Sequence, residues 1–478
     1  MPSLNDTARR TEVAINKSVE SGGSRRAGGA TIERGSVSGK TPGSGRRLKV
    51  LVVSYWFPPS NAVGAIRVGH FAKNLHEAGH DVRVLAGDDS DDQSQPALLP
   101  ADRVTRVAAR RGGDSLASML RVLRRSAAGA GSAPPQVASG SNSPPPRWRT
   151  ALRRHYYSLL HIPDPRAPWI RAATETGRRL VKDWRPDVIL ASAPPNSGLI
   201  AARRIAEACA APWIADMRDL WADNTYYSDP RWRYWVDWFM EPRTLRSATG
   251  LITVSPIWAD MLRRKYKQPV RCILNGYVSE DFPAKSPGPE PDDVVAIRHT
   301  GTIYAPYRDP APLFQGMGLL TAAERRRVAV HFYGLIERDA LAVTAAVSQA
   351  GVADRVFLHD RVSYRNSLSL QQSADVLLLL QWNNVIDAGM IPAKFFEYLG
   401  AGRPILFIGY EHGNVAEMIR ERGAGIIVND PSTIAEQLRR WIQQRPTGIP
   451  AVPAAAREGL SRADQSRRLE QFLLQLAG

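Results

Sequence analysis

The tightest constraint in this sequence is a series of short apolar runs, each followed by a segment with helical spacing. Leu48–Ser54 (LKVLVVS) is an apolar run of strand length, and Ala65–Ala78 repeats apolar residues at Ile66, Phe71, Leu75 and Ala78 before Gly79 stops it in C-cap position. Asp81–Ala86 (DVRVLA) then supplies a second strand. A strand that is apolar throughout must be covered on both faces, so this strand-helix-strand unit predicts a parallel sheet flanked by helices. The alternation resumes with strands at Val188–Ala191, Pro212–Asp216, Leu251–Val254 and Val270–Leu274, and with helices at Ser197–Ala210 and Arg231–Ala248. Ser255 followed by Pro256 marks the N-cap and first position of another helix, running to Tyr266. Asn275-Gly276 is a turn signal.

Residues 283–293, PAKSPGPEPDD, have the composition of a linker. A second series follows, with strands expected at Ala296–His299, Val328–Tyr333, Arg355–Leu358, Val376–Leu380, Ile405–Ile408 and Gly425–Val428, and closing helices at Ile434–Gln443 and Ala454–Leu476. The fold class expected is therefore α/β, with two Rossmann-like parallel-sheet domains facing a cleft, because open parallel sheets bind ligands at the carboxyl ends of their strands. The N-terminal domain is 47–282, with a flexible insertion at about 103–147, and the C-terminal domain is 294–452. Residues 453–478 are expected to return as a helix onto the N-terminal domain.

Charge is unevenly spread over this frame. The 478 residues carry a net charge of +17. Residues 1–46 contribute eight basic residues against four acidic ones, and residues 103–154 contribute eleven arginines against Asp114 alone, so these two segments hold +14 of the total. Both are low in complexity. The first reads as a disordered basic tail. The second contains one short amphipathic stretch, Leu116–Leu123, followed by Ala, Gly, Ser and Pro. After it, Arg147, Trp148, Arg149, Arg153, Arg154, His155, Tyr156, Tyr157 and Leu159 interleave cations with aromatic and apolar groups, a composition suited either to solvent or to an anionic membrane surface. No nucleic-acid motif accompanies the basic segments, so nucleic acid is not an expected partner.

Other classes are excluded by what is missing. Two cysteines, Cys209 and Cys272, are too few for a disulfide framework. No apolar run approaches the roughly 20 residues needed to span a bilayer, and the first 30 residues lack the apolar core of a secretory signal. The expected location is cytoplasmic, with peripheral attachment to the inner face of the membrane through the basic segment.

The segment Gly389–Pro404 (GMIPAKFFEYLGAGRP) carries the sharpest chemical signal. Pro392 suits a first helical turn, Lys394 lies within that turn, and Glu397 is three residues on, on the same face. A lysine at the positive end of a helix dipole is unfavourable unless an anion shares the site, and a diphosphate would make the placement sensible. A second cluster, Asp216-Met-Arg218-Asp219-Leu-Trp221-Ala-Asp223, follows an apolar strand. Its carboxylates, Asp216 or Asp219, are candidates to accept a proton or a hydrogen bond from an alcohol, and Arg218 to hold an acceptor phosphate. The stretch Trp232, Tyr234, Trp235, Trp238, Phe239 has helical spacing, which points first to core packing and second to acceptor or membrane contact. The nine histidines show no metal-ligand spacing; His299 and His331 read as core or rim residues.

The PxKxFEYLxxGxPIL pattern in a second Rossmann-like domain resembles the nucleotide-sugar site of GT-B glycosyltransferases, in particular the retaining family 4 type. Further similar segments are Trp56–Arg67 with Gly64, Pro163–Trp169, Arg185–Ile189, Pro212–Trp221, the Asn275-Gly276-Tyr277 turn, and His299–Tyr304 with Gly301 and Thr302. Together these cover most of residues 47–475. The resemblance implies donor contacts from Gly64, Gly301, Thr302, Arg308, Lys394 and Glu397, with Lys394 and Arg308 on the phosphates and Glu397 on the ribose. It also implies no cofactor and no bound metal. The family has a glutamate eight residues before the position of Glu397, where this chain has Gly389, and Asp387 is a candidate substitute. The implied function is transfer of a sugar from a nucleoside diphosphate to a hydroxyl of a lipid-linked or polysaccharide acceptor. A non-hydrolysing nucleotide-sugar epimerase and a non-catalytic membrane scaffold of the same fold are the alternatives.

Overall fold

A computed structural model describes residues 46–88, 95–109, 158–224, 229–283, 291 and 293–478. The basic tail, most of the insertion with its stretch Leu116–Leu123, and most of the linker lie outside the described residues.

The first sheet begins with β1 (Lys49–Ser54), α1 (Val63–Glu77), β2 (Asp81–Gly87) and β3 (Val104–Val107). It continues with α2 (Trp169–Asp183), β4 (Val188–Ala193), α3 (Ser197–Cys209), β5 (Trp213–Met217), α4 (Arg231–Leu245), β6 (Gly250–Thr253), α5 (Pro256–Lys265) and β7 (Val270–Cys272). The strand order is β3-β2-β1-β4-β5-β6-β7. The parallel register is set by pairs such as Val52 with Val84 and with Leu190. Every residue of β4 and β5 is buried, which is why these strands read as apolar runs rather than alternating ones.

The second sheet comprises β8 (Val295–Thr300), β9 (Val328–Tyr333), β10 (Val356–His359), β11 (Val376–Leu380), β12 (Ile405–Ile408) and β13 (Gly425–Ile427), ordered β10-β9-β8-β11-β12-β13. Its helices are α6 (Ala311–Gly318), α7 (Ala322–Arg325), α8 (Glu337–Ala350), α9 (Tyr364–Gln372), α10 (Ala393–Ala401), α11 (Asn414–Arg422), α12 (Pro431–Gln444) and α13 (Arg462–Leu476). Alternate residues of β11 feed two cores: Val376, Leu378 and Leu380 enter one with Phe314, Phe332 and Trp441, while Leu377 and Leu379 enter the other with Phe395, Phe396 and Phe407. Both faces are thus covered.

The order of each sheet reverses once, between β1 and β4 in the first and between β8 and β11 in the second. Loops leaving the carboxyl ends of those strands diverge and leave room for a ligand. The described residues group into two compact units, one drawn from Pro42–Ile252, Gln268–Val270 and Phe472–Gly478, the other from Thr253–Lys267 and Arg271–Gln471. Thr253–Lys267, read from sequence as part of the N-terminal domain, groups with the C-terminal unit because Asn414 Nδ2 donates to Ser255 Oγ at 2.8 Å and Trp258 packs on Gly389.

Two expectations are corrected. Val104–Val107, expected to lie in the flexible insertion, is instead an edge strand paired with β2 from Val84 to Gly87. The expected closing helix Ala454–Leu476 is broken: Ala454–Arg457 is a 3-10 turn, Gly459 adopts φ 72, and Ser461 Oγ accepts from Asp464 N at 3.0 Å to start α13 afresh. A left-handed glycine followed by a serine cap is a stop and a restart, which the apolar period alone does not reveal.

Candidate active site

In the C-terminal unit, Thr300 ends β8 and the chain turns at Gly301 with φ 84. A Cβ at Gly301 would stand 3.5 Å from Lys394 Nζ, so the glycine both permits the turn and leaves the space beside the ammonium open. Lys394 stands in the first turn of α10, after β11, and reaches the β8 loop because β8 and β11 are neighbours. Its Nζ lies 3.1 Å from the Thr302 carbonyl and 3.2 Å from His299 Nε2. His299 Nδ1 faces the Leu378 carbonyl at 2.9 Å, an oxygen that only accepts, so Nδ1 carries the proton and Nε2 accepts from lysine. Burial and the charge of Lys394 keep the His299 pKa well below normal, consistent with a neutral ring.

Lys394 is itself perturbed. Burial first, and the Arg308 charge second, lower its pKa to about 7. Arg308 is 7% exposed and lies 4.7 Å from the Tyr304 ring, its Nε buried without a hydrogen-bond partner among the described residues. Neither cation forms an ion pair within the described residues. Half-buried Lys394 and buried Arg308 therefore sit together at a helix N-terminus with no direct ion-pair partner among the described residues; Glu397 and Asp339 act on Lys394 only at longer range, and a bound anion would relieve the repulsion between the two cations.

The neighbouring groups fix this geometry. Asp339, fully buried in the first turn of α8, accepts from the amides of Ile303, Tyr304 and Ala305 at 3.0, 3.1 and 3.0 Å and so holds the loop between Gly301 and Arg308. Gln371 Nε2 donates to Thr300 Oγ1 at 3.1 Å and to Glu397 Oε2 at 3.2 Å. Burial raises the pKa of Glu397, opposed by that bond and by Arg462 and Lys394. Tyr307 and Trp382 rings lie 4.8 Å apart at the exposed side of the same loops.

The N-terminal unit carries a second polar cluster at the ends of β1, β4 and β5. Asp216 is completely buried: Arg67 Nη2 donates to its Oδ1 at 3.1 Å and Ser192 Oγ to its Oδ2 at 2.9 Å. The expectation that Asp216 emerges as a proton acceptor is not met; it anchors Arg67 of α1 to the sheet. Arg218 Nε donates to the Ala193 carbonyl at 3.1 Å, and its Nη2 donates to the Pro194 carbonyl. A Cβ on Gly64 would lie 1.8 Å from Arg218 Nη1, so Gly64 is where the guanidinium crosses the N-terminus of α1. Asp219 makes no hydrogen bond among the described residues, and burial, together with the Asp216 charge, raises its pKa against the opposing pull of Arg218.

Residues 140–277 match the family model of the glycosyl transferase 4-like domain. Over the whole chain the solved structures resembling it include sucrose-phosphate synthase from Thermosynechococcus elongatus, at 15% identity and TM-score 0.58, covering 90% of this chain and 99% of that one. HepE from Anabaena, in complex with UDP and glucose, matches at 12% identity and TM-score 0.55, covering 89% and 99%. The lipopolysaccharide outer core galactosyltransferase WaaB matches at 11% and 0.51, with the same coverage. The fold is that of the GT-B glycosyltransferases. No curated protein sequence matches the chain.

Within this GT-B fold the structure brings Gly301, Thr302, Arg308, Lys394 and Glu397 together and sets Gly64, Arg218, Asp216 and Asp219 in the other unit. Of the residues around the first group, Asp339 and Gln371 escape the reading of the sequence, while His299, read there as a core or rim residue at the start of the His299–Tyr304 segment, contacts Lys394. Asp339 left a trace as an acidic residue in the first turn of a helix following a strand; Gln371 left none. Asp387, the candidate substitute for the glutamate at position 389, is fully buried and accepts from Trp382 N at 3.3 Å. At Gly389 a Cβ would lie 2.4 Å from Trp258 Nε1, so the indole occupies the room a side chain would need. Among the described residues no group of three or more His, Cys, Asp or Glu is placed to hold a metal ion, and no helix is long and apolar enough to cross a membrane.

Proposed function

We propose that the protein is a metal-independent glycosyltransferase that moves a sugar from a nucleoside diphosphate to a hydroxyl of a lipid-linked or polysaccharide acceptor, with retention. The observation that carries this reading is the pair of neighbouring cations Lys394 and Arg308 at the head of α10, which repel each other and make no direct ion pair among the described residues. A diphosphate supplies the missing negative charge, and the same two cations stabilise it as it departs. The bond from the anomeric carbon to the diphosphate oxygen breaks, a bond to the acceptor oxygen forms, and the hydroxyl proton must leave. Glu397, held by Gln371, accepts hydrogen bonds from the ribose hydroxyls, and the Gly301–Thr302 turn lies against the phosphates. In the N-terminal unit Asp219 is the candidate to take the acceptor proton, because its carboxylate makes no hydrogen bond among the described residues and burial raises its pKa, which makes it a better base than an ordinary carboxylate. Arg218 is its partner for an acceptor phosphate. The UDP and UDP-glucose bound by HepE support a nucleotide-sugar donor. The retaining stereochemistry rests on the likeness to family 4, and the proposed site of action is the cytoplasmic face of the membrane.

The test is acceptor-dependent release of nucleoside diphosphate over a panel of donors. Lys394→Ala is expected to remove both release and nucleotide binding by at least about a hundredfold, as loss of a buried charge contact of roughly 3 kcal/mol implies. Asp219→Asn is expected to lower transfer by about a hundredfold or more with unchanged donor binding. Asp216→Asn, which uncouples a buried arginine, is expected to lower stability by about 3 kcal/mol. No release with any donor, or donor converted without an acceptor, defeats the proposal.

A further inference from the structure

Helix α4 is inverted relative to an ordinary surface helix. Its inward positions, four residues apart, are Arg233, Asp237 and Glu241, at 3, 2 and 2% exposure. Arg233 donates to both Asp237 oxygens at 3.1 Å and to the carbonyls of Ser158 and His161 at 3.0 and 2.7 Å. Trp221 Nε1 donates to Asp237 at 3.1 Å and the Ala222 amide to Glu241 at 2.9 Å. Its outward positions are instead Trp235, Trp238 and Phe239, at 52, 49 and 50% exposure, and Leu159 and Leu160, held beside the helix through Arg233, are 61 and 57% exposed. A soluble helix places these two sets the other way round.

The charge is as selective as the hydrophobicity. Both acids of α4 point inward, Asp237 paired with Arg233 and Glu241 accepting from the Ala222 amide, so its exposed charges are Arg231 and Arg243 alone, with Arg246 exposed one residue past its end. The Arg243 guanidinium lies 3.0 Å over the Phe239 ring. Two tryptophans and a phenylalanine rimmed by arginines, with no exposed acid on the helix, fit a surface that is apolar inside and negative at its boundary. The sequence leading into Ser158 agrees in sign, with Arg147, Arg149, Arg153 and Arg154 and no acid after Asp114. A protein partner or a second copy of this chain satisfies the apolar requirement, but a second copy brings the same arginines face to face.

We propose that the outward face of α4, with Leu159 and Leu160, docks the protein on a lipid surface containing anionic phospholipids. The aromatic rings enter the headgroup boundary while Arg231, Arg243 and Arg246 meet the phosphates, and the buried Arg233–Asp237 pair keeps the helix rigid enough to present them. This inference is independent of the transfer reaction.

The experiment uses the full chain and vesicles of phosphatidylcholine with or without a third of phosphatidylglycerol. Binding is expected to the mixed vesicles, to weaken at least tenfold with neutral vesicles, and to weaken again in high salt. Trp235→Ser/Trp238→Ser/Phe239→Ser is expected to reduce binding at least tenfold while leaving the thermal midpoint and nucleotide binding unchanged. Brominated lipids should quench tryptophan fluorescence of the unaltered chain, a readout that needs no variant. Equal vesicle binding by the triple variant, no quenching, or a concentration-dependent doubling of mass that the triple variant abolishes in a protein that ignores vesicles overturns the proposal.

Discussion

At the scale of single residues, Lys394 shows how a site announces itself by what it lacks. Its position in the first turn of a helix, three residues before Glu397, is visible in the sequence, because a helical period fixes which residues share a face. Its burial beside Arg308 is not, because that depends on a loop 86 residues earlier, as the numbering of the two positions shows. The lowered pKa of about 7 gives a signed consequence. An anion beside Lys394 raises that value, so the liganded protein holds a proton that the free protein has partly lost above pH 7. Nucleoside diphosphate affinity is therefore expected to be greatest below pH 7 and to fall by up to about tenfold per unit as pH rises above it. Calorimetry at pH 8 in buffers of different ionisation enthalpy should record net proton uptake on binding. A flat affinity between pH 6 and 8.5 shows that Lys394 does not meet the anion. His299 extends the same lesson: as a histidine it reads as core, and only the Leu378 carbonyl on the neighbouring strand reveals that its tautomer is set to receive the lysine.

At the scale of elements, the apolar runs were sufficient to place the strands, since strands covered on both faces need little else. What escaped were the edge strand β3, a four-residue segment of mixed polarity (VTRV), the restart of α13 at Ser461, whose cause is a short-range polar cap, and features with a misleading period. The aromatic repeat of α4 is the clearest example: spacing alone points it at the core, whereas the ion pair between Arg233 and Asp237 turns it outward. Asp339 is the polar cause that matters most for the candidate site, because one carboxylate collects three consecutive loop amides. Asp339→Ala leaves those donors buried without an acceptor, at a cost of about 3 kcal/mol, and frees the segment that carries Arg308. Chemical denaturation should show the loss of stability, and nucleotide affinity should fall at least tenfold. Asp339→Asn, which keeps one acceptor oxygen, is expected to fall between the two. If Asp339→Ala binds nucleotide normally, the loop does not depend on this anchor.

At the scale of the whole molecule, most of the +17 charge lies in residues 1–46 and 103–154, which fall largely outside the described residues. Chain order separates from architecture. The first unit is assembled from residues 42–252 and from the last seven residues of the chain, 472–478. The reason is visible at Gly250, the first residue of β6, where a Cβ would stand 2.6 Å from Leu476 Cδ1 and 2.8 Å from Phe472 Cζ. Phe472 is 2% exposed and Leu473 fully buried, so the final turns of α13 complete a core begun more than two hundred residues earlier. Phe472→Ala removes most of a buried ring there and is expected to cost about 4 kcal/mol. Because the loss falls on β6, hydrogen exchange should accelerate at amides of β5 and β6 while those of β8 and β9 keep their protection. Uniform acceleration across both sheets would show that the two units open as one, and protection lost first in β8 would place the C-terminal residues in the wrong core.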